Sequence, residues 1–309
     1  MVRLKEVSKK QEILSPGHRL CAGCGASIAV RQILTACDDP IVVGCATGCL
    51  EVATTIFPYT SWRSSFIHNA FENAAATISG VEAMYRSLKK QGKIEKEIKF
   101  IAFGGDGGTY DIGLQSLSGA LERGHDFVYV CYNNEAYMNT GIQRSSATPR
   151  GVWTTTTPYG ETTPGKTQYR KDLTAIVAAH KIPYVAQASI WRWSDLMEKA
   201  HKAFYTKGPA FINVLAPCPR GWRFSSGDTI KMAKLSVQTK FWPLYEVEKG
   251  EWRLNYKPKE RLPITEWMKL QGRYKDVLKP INKQLVEEIQ KDIDDSWMKL
   301  LKLCGENNK

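Results

Sequence analysis

Residues Ile98–Gly108 read IKFIAFGGDGG: an apolar run with no polar alternation that ends abruptly in four glycines around one aspartate. A run of this kind predicts a strand buried on both faces, which is how strands of a parallel sheet are placed. The glycines allow backbone N–H groups to approach an anion, and a helix beginning near Asp111 would turn its N-terminus towards that anion. Asp106 adds a hard oxygen suited to magnesium.

Working outward, the same grammar repeats. PIVVGCATGC (40–49) is a short apolar strand feeding a loop of small residues, and DFVYVCYNNE (126–135) is another, ending in Asn133-Asn134-Glu135. Helical periodicity falls between them, from Ala26 to Cys37, in FENAAATISGVEAMYRSLKKQG (71–92) and in YDIGLQSLSGALERG (110–124). Further on, DLTAIVAAHK, IPYVAQAS, WSDLMEKAHKAFYTKG and PAFINVLAPC alternate helix and strand twice more. Alternation of this sort predicts an α/β, doubly wound, mainly parallel sheet. Residues 139–170, rich in Thr, Gly and Pro, form a long loop, and a loop of that length in a compact domain is usually functional. Beyond Trp242 the pattern becomes polar, with one helix over 281–303. Three segments result: an arm (1–20), a main domain (21–240) and a C-terminal, partly helical extension (241–309).

At 309 residues, with 43% hydrophobic and 24% charged residues, the composition is that of an ordinary globular protein. No apolar run approaches the roughly 20 residues of a membrane span. The opening MVRLKEVSKKQEIL has no signal-peptide core, so the expected compartment is the cytoplasm. The net charge of +12 is spread along the chain with acids interspersed. That pattern suits a solvated face or a surface for an acidic protein partner better than a nucleic-acid site.

Eight cysteines in a reducing compartment point to metal ligands and packed thiols. Cys21 and Cys24, in HRLCAGCGAS, are spaced as half of a zinc site, a redox dithiol or two ligands of an iron–sulfur cluster. No thioredoxin-like unit surrounds them, which disfavours the dithiol. Cys218 lies between prolines at the end of the last apolar strand. Cys49 follows Thr47-Gly48 in a loop, whereas Cys45, Cys37, Cys131 and Cys304 have packing contexts.

Asp106 and Asn134, at the ends of two strands separated by one helix, resemble the diphosphate–magnesium signature of thiamine-diphosphate enzymes. GHRLCAGCGA, ATGCLEVATTIFPYT, IHNAFENAAATISGVE, FGGDGGTYDIGLQSLSGALERGH, YNNEAYMNTGIQRSSATP and APCPRGW together cover residues 17 to 223 in order. They resemble the β subunits of the 2-oxoacid:ferredoxin oxidoreductases, most closely the pyruvate branch. The resemblance implies the thiamine-diphosphate-binding fold and a cofactor held with magnesium through Asp106, the Asn134 side chain and the Ala136 carbonyl. It also implies a [4Fe-4S] cluster on Cys21, Cys24, Cys49 and Cys218. Ala46, Thr47, Gly48, Cys49, Gly105, Gly107 and Gly108 would line the diphosphate, with Tyr137 and Asn139 near the reacting carbon.

The implied reaction converts a 2-oxoacid, coenzyme A and two oxidised ferredoxins to acyl-coenzyme A, carbon dioxide and two reduced ferredoxins. Pyruvate is the expected substrate, with 2-oxoisovalerate, 2-oxoglutarate and oxalate as alternatives. The carboxylate that activates the aminopyrimidine and the dense cysteine run of a ferredoxin module are both missing from this chain. An α subunit carrying the pyrimidine half, with γ and ferredoxin-like δ subunits, is therefore expected, and neither nucleic acid nor membrane. The other readings of the residues are a non-redox thiamine-dependent decarboxylase or synthase and a zinc-stabilised scaffold. His18, His68 and Glu72 fall in matching stretches without an assigned role, and Trp242, Trp252 and Trp267 suggest a subunit-packing surface.

Overall fold

The computed structural model describes residues 4–160 and 163–306. Residues 1–3 of the arm, 161–162 of the long loop and 307–309 of the extension lie outside it. One sheet of eight strands organises the chain: β1 (Ile41–Ala46), β2 (Ser65–Asn69), β3 (Lys99–Gly105), β4 (Val128–Asn133), β5 (Tyr184–Ser189), β6 (Ala210–Leu215), β7 (Tyr245–Glu248) and β8 (Glu251–Leu254). Their order is β2-β1-β3-β4-β6-β5-β7-β8. The pairs from β2 to β5 are all parallel, and β7 and β8 are added antiparallel. Among the described residues no helix is long and apolar enough to cross a membrane.

The expected helices appear as α2 (Gly25–Thr35), α4 (Ala74–Lys90), α5 (Leu114–Glu122), α6 (Leu173–Ala178), α7 (Trp193–Tyr205) and α11 (Lys283–Leu303). The remaining α-helices among the described residues are α1 (Leu4–Val7), α3 (Cys49–Thr54), α8 (Pro219–Trp222), α9 (Thr229–Gln238) and α10 (Thr265–Met268). α2 and α7 cover one face of the sheet, burying Val30, Ile33, Leu196 and Ala200. α4 and α5 cover the other, burying Ile78, Leu117 and Leu121. Continuous burial of β4, β5 and β6 explains their unbroken apolar sequences.

Besides the unanticipated edge strand β2, three features depart from the sequence reading. The helix expected near Asp111 starts earlier, as a π-helical turn over Gly107–Ile112 that precedes α5. Its wide hydrogen bond runs from the Gly113 N–H to the Gly108 carbonyl at 2.7 Å, and a Cβ on Gly113 would lie 2.2 Å from that same oxygen. Such turns recur at functional sites. The extension is also more than a polar appendage, because β7 and β8 join the main sheet beside β5. Trp242 and Trp267 are 1% and 0% exposed, inside the core that joins the extension to α8 and α9. They therefore pack within the chain rather than on a subunit surface, while Trp252 stacks on Tyr245.

The chain leaves β1 for β2 on one side and then crosses back to β3 on the other. A doubly wound sheet has its ligand crevice at such a reversal, beyond the carboxyl ends of the strands.

Candidate functional site

The register sets the site. Ala46 pairs with Asn69, Gly105 with Tyr132, and Asn133 with Leu215, so Thr47, Asp106, Asn134 and Ala216 leave the sheet along one edge. Thr47 is pinned there through its N–H and hydroxyl, both donating to the Asn69 carbonyl.

Asp106 is fully buried below this edge. Its Oδ1 accepts from the Asn134 N–H at 3.1 Å and its Oδ2 from the Ser145 hydroxyl at 2.5 Å. Burial pushes its carboxyl up to about 7, opposed by those two hydrogen bonds. One terminal atom of the Asn134 amide lies 3.0 Å from Asp106 Oδ1 and 2.9 Å from the Ala136 carbonyl oxygen. As nitrogen it donates to both. As oxygen it completes a triangle of three oxygens.

Magnesium binds six oxygens octahedrally at roughly 2.0–2.1 Å, which puts neighbouring ligands about 2.9 Å apart. The two separations at Asn134 have that length, so a turn of the amide converts this hydrogen-bonded nest into one face of a magnesium octahedron. The donor set fits the metal the resemblance implies. It contains a single carboxylate, and among the described residues no group of three or more His, Cys, Asp and Glu side chains could hold a metal ion as it stands.

Above this nest is a narrow cleft lined by Thr47, Gly48, Cys49, Gly105, Gly107, Gly108, Asn134, Ala136, Tyr137 and Asn139, while Ala46 is buried at the end of β1. Close approach explains its glycines. A Cβ on Gly107 would meet the Tyr137 ring at 2.4 Å, and one on Gly48 would meet the Tyr132 hydroxyl at 2.6 Å. The cleft encloses only about 20 Å³, far less than a whole cofactor needs. A larger hollow of about 440 Å³ lies by the amino ends of β3 and β4, around Glu82, Lys99 and Asp126. Its buried Glu82 is already paired with Arg86 and His125, so size alone marks the wrong end of the sheet.

The four candidate cluster cysteines are brought to one rim by specific backbone contacts. The Gly25 N–H, next to Cys24, donates to the carbonyl of Pro217, next to Cys218, at 3.1 Å. A Cβ on Gly25 would lie 2.7 Å from Ala216 and Pro217 backbone, so only glycine permits this approach. Thr229 donates to the Gly23 carbonyl at 2.6 Å, holding the Cys21–Cys24 turn against α9. Cys218 caps α8, its Sγ accepting from the Gly221 N–H at 3.3 Å. Cys49 opens α3 beside Gly48.

Burial pushes the Cys49 thiol up to about 12, and proximity of Cys218, Cys24 and Cys21 pushes it the same way. Cys218 is pushed up to about 11, by burial first and then by Cys24 and Cys21. A cation at this rim would reverse that preference, since thiolates are the ligand form. Cys45 and Cys131 are fully buried and Cys37 nearly so, as packed thiols are.

The family described as thiamine pyrophosphate enzyme, C-terminal TPP binding domain, matches residues 43–214. The pyruvate synthase subunit PorB of Thermotoga maritima is 52% identical over 97% of this chain and 94% of its own. PorB of Methanocaldococcus jannaschii is also 52% identical, over 93% and 95%. The chain belongs to this family, the β subunits of the 2-oxoacid:ferredoxin oxidoreductases. The ketoisovalerate oxidoreductase subunit VorB of Pyrococcus abyssi is 44% identical over 95% of this chain and 94% of its own. A 2-oxoglutarate:ferredoxin oxidoreductase from Magnetococcus marinus shares the fold, with a TM-score of 0.54 at 20% identity over 69% of this chain and 76% of that one.

Within this β-subunit architecture several supporting residues escaped the sequence reading. Lys166, 1% exposed, donates to the carbonyls of Ser145, Ser146 and Thr148 and so shapes the loop that carries the Ser145 hydroxyl to Asp106. Nothing in its local sequence, TPGKTQ, marks it. Glu135 is fully buried and paired with Arg273 of the extension at 2.6 Å. His68 faces Glu51 at 3.1 Å on the open rim, and the buried Nδ1 of His18 has no hydrogen-bond partner. Neither histidine lines the cleft, and nor does Glu72.

Proposed function

We propose that this β subunit takes part in a pyruvate synthase reaction, in which pyruvate, coenzyme A and two oxidised ferredoxins yield acetyl-coenzyme A, carbon dioxide, two reduced ferredoxins and a proton. The reading is carried by the oxygen triangle of Asp106, Asn134 and Ala136 at the switch point of the sheet. These residues hold magnesium, and the glycines of the π-helical turn, with Ala46-Thr47-Gly48, receive the diphosphate of thiamine diphosphate. The bound cofactor supplies an electron sink for decarboxylation. Tyr137 and Asn139 border the reacting end, with the Tyr137 ring set against Phe71 at 5.9 Å.

Cys21, Cys24, Cys49 and Cys218 hold a [4Fe-4S] cluster beside the cleft, which accepts one electron at a time. An α subunit supplies the activating carboxylate and the pyrimidine half, and γ and δ subunits complete the route to ferredoxin. The small volume of the cleft supports that division. The likeness to PorB favours pyruvate over 2-oxoisovalerate, 2-oxoglutarate and oxalate, and the cytoplasm is the compartment that suits these thiols.

Metal analysis and visible absorption of anaerobically purified protein test the proposal. About four iron and four sulfide per chain with a broad brown band are expected. Zinc in their place, or neither metal, overturns the cluster.

A further inference from the structure

The two magnesium-facing groups after β4 come from Asn134 and Ala136, and the residue between them is held in an unusual way. Glu135 has φ +67°, the left-handed region that residues with a Cβ rarely adopt. This reversal turns the side chain of one neighbour and the carbonyl of the other towards Asp106. The backbone of the turn is held on three sides: the Glu135 N–H donates to Asn133 Oδ1 at 3.0 Å, its carbonyl accepts from Thr148 at 2.6 Å, and the Asn134 carbonyl accepts from the Trp222 indole at 2.8 Å.

The Glu135 side chain meets a partner 138 residues further on. Arg273 Nη2 donates to Glu135 Oε2 at 2.6 Å, with the two side chains 2% and 0% exposed. The guanidinium lies 4.0 Å over the ring of Trp222, and its Nε donates to Gln271 Oε1 at 2.8 Å. Arg273 and Trp222 thus form one stack that grips successive residues of the turn, Glu135 by its carboxylate and Asn134 by its carbonyl. A buried charge pair without a packing advantage is often replaceable by apolar residues. Here the pair lies between two metal-facing groups, a place where orientation counts.

We infer that Arg273 is a positioning residue for the magnesium-binding turn, acting through Glu135 and Trp222; the inference rests on the metal reading proposed above. The arginine orients the turn before the metal arrives, and its loss leaves the ligands present but loosely aimed.

The test is thiamine diphosphate binding by the assembled complex, titrated with Mg²⁺ and read by equilibrium dialysis, with kcat at saturating Mg²⁺ and the visible band recorded alongside. Arg273→Met is expected to raise the Mg²⁺ concentration for half-maximal binding about tenfold or more, with Arg273→Lys recovering most of the loss and the visible band unchanged. The double variant Arg273→Met with Glu135→Met removes both members of the pair and leaves only Arg170, 3.7 Å from Glu135 Oε1 and one quarter exposed, so it carries the test even where the single variant fails to assemble. A raised Mg²⁺ requirement in the double variant supports positioning. A wild-type requirement in either Met variant overturns it and leaves the pair a purely structural role. Asp106→Ala serves as the control: if it leaves the Mg²⁺ dependence intact, the metal reading fails and this inference with it. If Asp106→Ala abolishes binding and Arg273→Met changes nothing, only the inference fails.

Discussion

Around Asp106 the carboxyl edge of the sheet is buried and both carboxylate oxygens accept hydrogen bonds, while the neighbouring thiol rim is open, with Cys21 exposed and Cys24, Cys49 and Cys218 half-buried. The oxygen nest is assembled by the chain alone: both oxygens of Asp106 are occupied, and the Asn134 amide can satisfy itself without a cation. The thiols are only gathered, by the Gly25–Pro217 contact and the Gly23–Thr229 bond, and no group of three is closed to metal-site spacing. On the metal reading proposed above, a hard cation would need only a turn of the Asn134 amide, whereas a soft-metal cluster would have to draw its thiolates in. The first site should be sensitive to geometry and the second to ligand identity.

The largest effect expected from this contrast is at Asp106. Asp106→Ala removes the one charged group of the proposed magnesium triangle and takes its acceptor from the Ser145 hydroxyl and Asn134 N–H, costing about 1–3 kcal/mol of stability for each buried group. Thiamine diphosphate binding by the complex should fall by about a thousandfold or more, measured as retained cofactor after gel filtration. Binding within tenfold of wild type would place the metal elsewhere.

Next come the thiols. Cys218→Ser should bleach the brown band and reduce iron content, and Cys49→Ser should do the same. Cys45→Ser, in the dry core of β1, should keep full iron while losing about 1–3 kcal/mol of stability to the burial of a more polar group. Full iron in Cys218→Ser, or a bleached Cys45→Ser, reverses the ligand assignment.

A smaller effect tests the geometry of the cleft. Gly107→Ala places a methyl 2.4 Å from the Tyr137 ring. The ring must move, at about 1–3 kcal/mol for forced overpacking, and cofactor affinity should drop about tenfold while iron content holds. An equal loss of iron would show that the two regions are not separately built.

The prediction with the least effect on cofactor and iron content concerns pH. Burial, and then the nearby Arg144 charge, lowers the Lys166 ammonium to about 8. An unfolded lysine stays charged to roughly 10.4, so between these values the unfolded chain binds more protons and stability rises with pH. Below pH 8 the cost of burying the charge is present in full. The unfolding free energy of the wild type, relative to Lys166→Met, should climb by about 2–3 kcal/mol from pH 8 to 10. Parallel pH profiles in urea titrations would remove Lys166 from this role.

Much of the site was legible because parallel strands deliver their carboxyl ends to one edge. Gly104–Gly108 at the end of β3 and Asn133–Asn134 at the end of β4 therefore had to meet once both runs were recognised as neighbouring strands. The π-helical turn was not legible, since Gly107–Ile112 and an α-helix beginning near Asp111 have the same local composition. β2 was missed because SFIHN is an edge strand with mixed burial and no apolar run. The hairpin β7–β8 was hidden in a polar segment, its sheet position decided by pairing with β5 across a distance in sequence.

By itself, the sequence determined the alternating α/β plan, the ends of β1, β3, β4, β5 and β6, and the residue types suited to magnesium and to a thiolate cluster. These follow from local patterns, in which apolar periodicity and glycine spacing act over a few residues. Only the tertiary structure decided which strand lies beside which, the 2.9 and 3.0 Å separations around Asn134, the approach of Cys24 to Cys218 through Gly25, and the grip of Arg273 on Glu135. Each of these joins segments far apart in the chain. Such contacts depend on the packing of the whole sheet, and no local sequence period records them.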